Sequence, residues 1–491
     1  MTADPGGRDS RGPDSGGPPR ELAALLAEVV SDEAAVPNIA AIRREGGRLR
    51  RWRRAGRAVS TVVGSAVVAA LVAAALTQPA PPPPLSMQAR PMVGAFQSLA
   101  EVSREDFGGA DTRTGVAAAL GDAGYVAWLD GGQLRVAAVD LRTGESLWPP
   151  RAVGEFASLG MVVADPRGVM VAGYRGGDAA SDDLSMVMLD PMTGAVRWRA
   201  TYGPFLAARL DDTLVVVSEA GRLTEGRDYA TGTVRWSRRD RIGSTSTGPM
   251  VRAAALAGPG SDTNPAVNGG LMLQVGGDHV VWIYQTNGTA GRTWPVAGTE
   301  VIGADGRVYV SDRKRPVVEV FAIDGGEPHT FYAAADSAAE LHTVLPCGAD
   351  LMCLVEVRRD GGGVSGELVA VSLATGEPRW RQPSGELLTL LPMGGNRVLA
   401  ENDHGQTVLF GPTGAQTLET GPGYVLRIDA SHALVVGPSR STPAAIEGLV
   451  VGDGVDVKPL GMVDATGSCA ANDRMLLCPT RAGYAVWRFA S

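Results

Sequence analysis

The side chains of this chain that could do chemistry are few and scattered. Its five histidines, His279, His329, His342, His404 and His432, fall at separate turns and strands. None stands in a His-Glu-x-x-His pattern, and neither a Gly-x-Ser-x-Gly elbow nor a phosphate loop occurs. The densest polar cluster is Glu401-Asn402-Asp403-His404-Gly405, which could hold a metal or a substrate. Hairpin-turn chemistry before the glycine explains the same residues. The acidic stretch Gly176-Gly177-Asp178-Ala179-Ala180-Ser181-Asp182-Asp183 has the oxygens for calcium, yet it also reads as a solvated loop between two strands. Asn287-Gly288-Thr289 fits a glycosylation sequon and equally a turn. We therefore expect no catalytic, cofactor-binding or metal-binding residue and no bound cofactor.

The four cysteines form two local pairs, Cys347 with Cys353 and Cys469 with Cys478. Each pair flanks a strand-turn-strand, where facing Cβ atoms can meet the spacing of a disulfide. Four thiolates could also bind zinc, but the spacings are not Cys-x-x-Cys and the pairs lie far apart in sequence. Disulfides 347–353 and 469–478 are expected, in an oxidising compartment.

The elements that carry these residues follow from a repeat. Asp140-Leu141-Arg142-Thr143-Gly144 is followed by Trp148, and Asp190-Pro191-Met192-Thr193-Gly194 by Trp198. Asp228-Tyr229-Ala230-Thr231-Gly232 precedes Trp236, and Ser372-Leu373-Ala374-Thr375-Gly376 precedes Trp380. Strand-like residues lie on both sides, so Thr-Gly marks a hairpin turn in which glycine takes positive φ and Asp and Thr bond the turn amides. The tryptophan, four residues after each glycine, leaves the outer strand in a fixed direction and suits packing between similar units. Degenerate copies are Thr286-Asn287-Gly288 before Trp294, Asp324-Gly325-Gly326 before Phe331, and Thr413-Gly414 before Leu418. A period in the forties with about four short strands is that of a propeller blade.

The pattern Ala-x-Asp-x-x-Thr-Gly-x-x-x-Trp, met in full by Ala138 to Trp148, is similar to the tryptophan-docking repeat of quinoprotein-type β-propellers. That superfamily includes pyrroloquinoline quinone dehydrogenases. It also includes non-enzymatic envelope proteins such as the lipoprotein of the outer-membrane β-barrel assembly machinery. The resemblance covers residues 92–491 and implies an all-β propeller, with eight blades favoured and seven next. Nine candidate second strands begin near Tyr125, Val169, Leu214, Leu271, Val308, Leu351, Val398, Leu434 and Met475, one of them readable as an insertion. The chain ends after Ala485–Phe489, one strand short of a blade, and residues near Met92 to Val102 are expected to supply that strand. The dehydrogenases carry an adjacent Cys-Cys ring that stacks on the cofactor; this sequence has no Cys-Cys dipeptide.

Ahead of the repeat region, residues 1–57 read as partly disordered and cytoplasmic, with a short helix near Glu21 to Val30 and a second from Asn38 to Arg57. Arg43, Arg44, Arg48, Arg50, Arg51, Arg53, Arg54 and Arg57 crowd the end of that region. The uncharged stretch 58–76 that follows would reach roughly 28 Å as a helix, about one hydrocarbon core. The arginines orient it with the N-terminus inside and the repeats outside, in the cell membrane. A proline-rich spacer at 77–91 is expected to hold the propeller clear of the bilayer. The net charge of −8 argues against nucleic acid as a partner. The sequence is thus expected to encode a single-pass membrane protein whose outer propeller binds or scaffolds a protein or envelope ligand. The alternatives are a quinone-dependent dehydrogenase and a transmembrane sensor acting through residues 1–57.

Overall fold

The computed structural model describes residues 94–491, apart from 109–114, 176–183, 203–204, 211, 219–222, 240–243, 252–266, 277–279, 286–289, 299, 313–314, 361–362, 385–386, 403, 439–442 and 453. The expected cytoplasmic helices, the span at 58–76 and the spacer at 77–91 lie outside these residues. Among the described residues every regular element is a strand, and no helix is long and apolar enough to cross a membrane.

The strands are short and antiparallel, and they form successive four-strand units at 116–155, 158–202, 205–239, 244–295, 300–333, 340–383, 387–422 and 424–463. A ninth unit is made of 470–490 and one strand from the other end of the chain. All nine second strands inferred from the sequence are the second strands of these units. Their composition explains why. Thr213–Ser218, His432–Val436 and Met475–Pro479 are buried at every residue, because each lies between neighbouring units on both faces. An uninterrupted apolar run of strand length fits only such a place. The outer strands instead alternate, as in Val196–Tyr202, where Trp198 is buried between exposed neighbours.

The described strands make eight separate hydrogen-bonded sheets, the number favoured from the sequence. Seven have four strands. The eighth has eight, because units four and five join through a parallel pairing of Met250–Val251 with Gly303–Ala304. The eight sheets therefore hold nine four-strand units. Each unit packs on the next, and hydrophobic clusters cross the seams between units one and two, two and three, five and six, six and seven, seven and eight, eight and nine, and nine and one.

Closure comes from the expected strand exchange. Phe96–Asp106 pairs antiparallel with Gly483–Ala490, from Phe96 opposite Ala490 to Asp106 opposite Gly483. The first strand of the described chain thus becomes the outer strand of the last unit and removes an exposed edge. A second tie binds unit nine to unit one: Ala117 N donates to Ser468 O (2.8 Å) and Ser468 N to Gly115 O (3.0 Å). The first–second and third–fourth strand turns of each unit share one face of the ring. Leu141 N donates to Asp122 O (2.7 Å), Tyr229 N to Asp212 O (2.8 Å) and Leu373 N to Asp350 O (2.8 Å) across them.

Both expected disulfides are present, Cys347–Cys353 (Cα–Cα 5.6 Å) and Cys469–Cys478 (4.2 Å). The first closes the turn between two strands of unit six. Asn396 of unit seven holds that loop, accepting from Ala349 N (3.2 Å) and donating to Asp350 (2.8 Å). Substituting Cys347 and Cys353 by serine is expected to lower unfolding stability by about 2 kcal/mol, from the chain entropy of a short closed loop. Urea denaturation of the purified protein reads this, and an unchanged midpoint would contradict it.

Candidate functional site

The recurrent turn is built the same way each time. Asp140 Oδ1 accepts from Arg142 N (2.8 Å) and Thr143 N (3.0 Å), and Gly144 N donates to Asp140 O (2.7 Å). Asp190 accepts from Met192 N (2.9 Å) and Thr193 N (2.8 Å), and Asp228 from Thr231 N (2.8 Å). In the fourth copy Ser372 takes the place of the aspartate, with Ala374 N on its Oγ (3.3 Å). The glycines sit at φ +77° (Gly144), +67° (Gly194), +71° (Gly232) and +74° (Gly376), where a side chain is strained. The threonine hydroxyl then accepts from the residue after glycine, as Glu145 N on Thr143 Oγ1 (3.2 Å) and Glu377 N on Thr375 Oγ1 (3.3 Å).

The purpose of this turn is visible in the neighbouring unit. The indole of Trp148 lies on Gly194 of the next unit, where an added Cβ would come within 2.8 Å of the ring. Trp198 lies on Gly232 (2.4 Å) and Trp380 on Gly414 (2.7 Å) in the same way. Trp148 Nε1 donates to Pro191 O (3.1 Å) and Trp198 Nε1 to Tyr229 O (3.0 Å), in each case the residue after the turn aspartate. The repeat at Asp190–Trp198 thus does both: its glycine receives Trp148 of the preceding unit and its tryptophan docks on Gly232 of the following one.

The variations have local causes. Phe331 fills the seat at Gly376, whose Cβ would meet the Phe331 carbonyl and ring. Trp294 packs against Phe321 at 4.8 Å. Trp236 is half-buried and lies over Gly226 of its own unit. At the closing seam Ser103 of the exchanged strand occupies the place over Gly144. Trp380 is buried but its Nε1 has no acceptor. The turn it meets is one residue shorter, with Gly414 N bonded to Gly411 O rather than to a residue four back.

Two polar clusters escaped the sequence reading. Tyr202 donates to the buried Glu225, which also takes Arg227 Nε at 2.5 Å. Tyr332 donates to the buried Glu356, while Arg381 reaches Glu356 (3.2 Å), Glu367 (2.8 Å) and the Tyr332 hydroxyl (2.6 Å). Each joins an outer-strand tyrosine to the following unit. Burial, followed by the carboxylate beside it, pushes both phenols above their ordinary range. The available signal was Glu356 alone inside the apolar run Leu351–Val357.

Of the other candidate residues, several of those described serve structure. Asn402 Oδ1 caps the turn by accepting from His404 N (3.0 Å) and Gln406 N (2.9 Å); Asp403 lies outside the described residues. His432 Nδ1 contacts Asp429 (3.0 Å) beneath Phe96, and His342 contacts Glu340 (3.1 Å) beside Arg359. His329 begins an outer strand. The stretch 176–183, His279 and Asn287–Thr289 lie outside the described residues or have no described side chain. Among the described residues no group of His, Cys, Asp or Glu is placed to hold a metal.

Two of the turn aspartates, Asp190 and Asp228, are held ionised. The Arg197 hydrogen bond (2.6 Å), with the amides of Thr193 and Met192, lowers the Asp190 carboxyl despite partial burial. Burial alone would raise Asp228, but Thr231 and Arg235 outweigh it and the net direction is down. A depressed folded pKa contributes stability above the unfolded value, near 3.9, and loses it as pH falls through the folded value. Asp190→Asn is therefore expected to lower the unfolding midpoint at pH 7 and to make little difference near pH 2. A pH series of urea titrations checks this; equal loss at both pH values would contradict it. Separately, Trp198→Phe should cost about 1 kcal/mol more than Trp380→Phe, because only the former removes a hydrogen bond. Equal costs would mean the indole N–H is irrelevant to docking.

The family model described as outer membrane protein assembly factor BamB matches residues 132–327, less than half of the chain. A search of curated proteins returned no match. Among solved structures, BamB from Moraxella catarrhalis is 16% identical with a TM-score of 0.44, covering 80% of this chain and 100% of its own. The C-terminal WD40 domain of Sif2 is 11% identical with a TM-score of 0.43, covering 81% and 100%. Hsv2 from Kluyveromyces lactis is 10% identical with a TM-score of 0.39, covering 60% and 96%. No function is carried over from these likenesses. The family match over residues 132–327 and the ring of eight sheets together support a β-propeller of the PQQ-repeat-like kind.

Proposed function

We propose that the chain is a membrane-anchored, extracytoplasmic propeller that binds or scaffolds a protein or envelope ligand and has no catalysis of its own. Residues 58–76 are its span, with residues 1–57 inside the cell and the ring outside. The observation that carries the outer location is the pair of disulfides, Cys347–Cys353 and Cys469–Cys478, which persist in oxidising surroundings. The arginine run before 58–76 agrees with that orientation. A binding role is supported by the matched family's description as an assembly factor. It is supported also by the use of the conspicuous polar side chains in fixing turns and seams, which leaves loop surfaces to vary on a rigid frame.

Protease added to intact cells is expected to cut residues 100–491, with residues 1–57 cut only after permeabilisation. Protection of the ring in intact cells would overturn the topology. Pyrroloquinoline quinone and calcium added to the purified full chain should give no spectral shift and no dye reduction. A shift would overturn the non-catalytic part of the proposal.

A further inference from the structure

The outer strands of the ring are not alike in charge. Ser146–Glu155, Val196–Tyr202 and Val234–Arg239, from units one to three, carry Arg151, Arg197, Arg199, Arg235, Arg238 and Arg239 against Glu155 alone. Gln416–Pro422, Val455–Val463 and Phe96–Asp106, from units seven to nine, carry Glu419, Asp456, Glu101, Glu105 and Asp106 against Lys458 and Arg104. In the first group Arg197 is paired with Asp190 (2.6 Å), and Arg235 with Asp212 (2.7 Å) and Asp228 (2.5 Å). Arg199 bonds a carbonyl, Val153 O at 2.8 Å, rather than a carboxylate. Arg151 and Arg239 are exposed, and Arg142 stands 72% exposed at the turn of unit one.

Among the described residues the same arc carries most of the large exposed apolar side chains, including Leu147 (43%), Met192 (76%), Val196 (36%) and Val234 (43%). They lie on or beside turns that touch from unit to unit. Met192 lies two residues before Gly194, which touches Trp148, next to Leu147. Val234 follows Gly232, which touches Trp198, two residues after Val196. All four lie at the turn end of their outer strands. Phe96 pairs with Ala490, so the chain arriving from the N-terminal side also enters at the turn end, in unit nine against unit eight. Only residues 77–95 separate Phe96 from the proposed span, a reach of no more than about 70 Å. Such a tether keeps the turn face of the ring at high local concentration near the bilayer, and the charge of units one to three selects the arc that meets it.

We propose that the turn-side rim of units one to three is a membrane-contacting edge. Leu147, Met192, Val196 and Val234 enter the headgroup region, and Arg142, Arg151 and Arg199 hold anionic headgroups. The inference rests on the anchored topology proposed above.

The test reconstitutes the full chain in nanodiscs of phosphatidylcholine, with or without three parts in ten of phosphatidylglycerol, and follows amide hydrogen exchange. Slower exchange at 146–152, 192–199 and 234–239 on the anionic discs only, lost in 1 M NaCl, is expected. Combined Arg142→Glu, Arg151→Glu and Met192→Ser, all on exposed side chains, should abolish that protection while the unfolding midpoint stays put. Equal exchange on both lipids overturns the proposal. Protection that instead follows protein concentration assigns the rim to a second copy, and protection that needs an added acidic protein assigns it to that partner; either overturns it. A chain that fails to remain with the discs removes the anchor, and the rim proposal with it, and is recognised by its absence from the disc fraction.

Discussion

The contact on which the ring depends is an indole lying on a glycine that belongs to the next unit. Glycine alone can fill that place, for two independent reasons. Its backbone is in the left-handed region, at +67° in Gly194 and +71° in Gly232. The space a Cβ would need is taken by the ring of Trp148 or Trp198. One residue therefore satisfies its own turn and receives its neighbour's side chain. This explains why the motif is conspicuous in units whose strands otherwise share little. The strands differ from unit to unit while staying apolar; the glycine bend recurs, with Trp148, Trp198, Trp380 or Phe331 seated on it.

Polar side chains support that contact. The aspartates at 140, 190 and 228 collect one or two turn amides and keep the bend tight, and Arg197 and Arg235 hold Asp190 and Asp228 ionised. Where the turn is one residue shorter, at Gly411–Gly414, the indole of Trp380 still docks but gives up its hydrogen bond. Shape comes first in this arrangement, and polar pairing refines it. The Tyr202 and Tyr332 clusters do similar service, fastening one unit to the next through a buried carboxylate.

Much of this architecture could be read from the residues. Thr-Gly with a tryptophan four places on located the turn and outer strand in four units, and the apolar runs located the second strand in all nine. The local cysteine spacing was enough for the disulfides. The number of sheets was harder, because the merger of units four and five depends on a two-residue parallel pairing with no compositional mark. The identity of the docking surface was also hidden. Spacing shows that Trp148 has a fixed direction, but not that its seat is Gly194, some forty-six residues later. The tyrosine–glutamate–arginine clusters draw on residues from different strands and units, and only the lone Glu356 hinted at one of them.

The strand exchange that closes the ring also sets an order of events. Phe96 finds its partner in Ala490, so the first strand and the last are separated by 490 − 96 = 394 residues. During synthesis or export the leading strand must wait, its ladder unpaired, while all the units between are made. Contacts so far apart in sequence form slowly, and an open strand is a template for mispairing. The leading strand is written accordingly: Glu101, Arg104, Glu105 and Asp106 make it charged and soluble while it waits. The molecule is consequently all-or-none in time as well as in space, since a polypeptide cut short by even its final dozen residues would leave the opening strand without a mate.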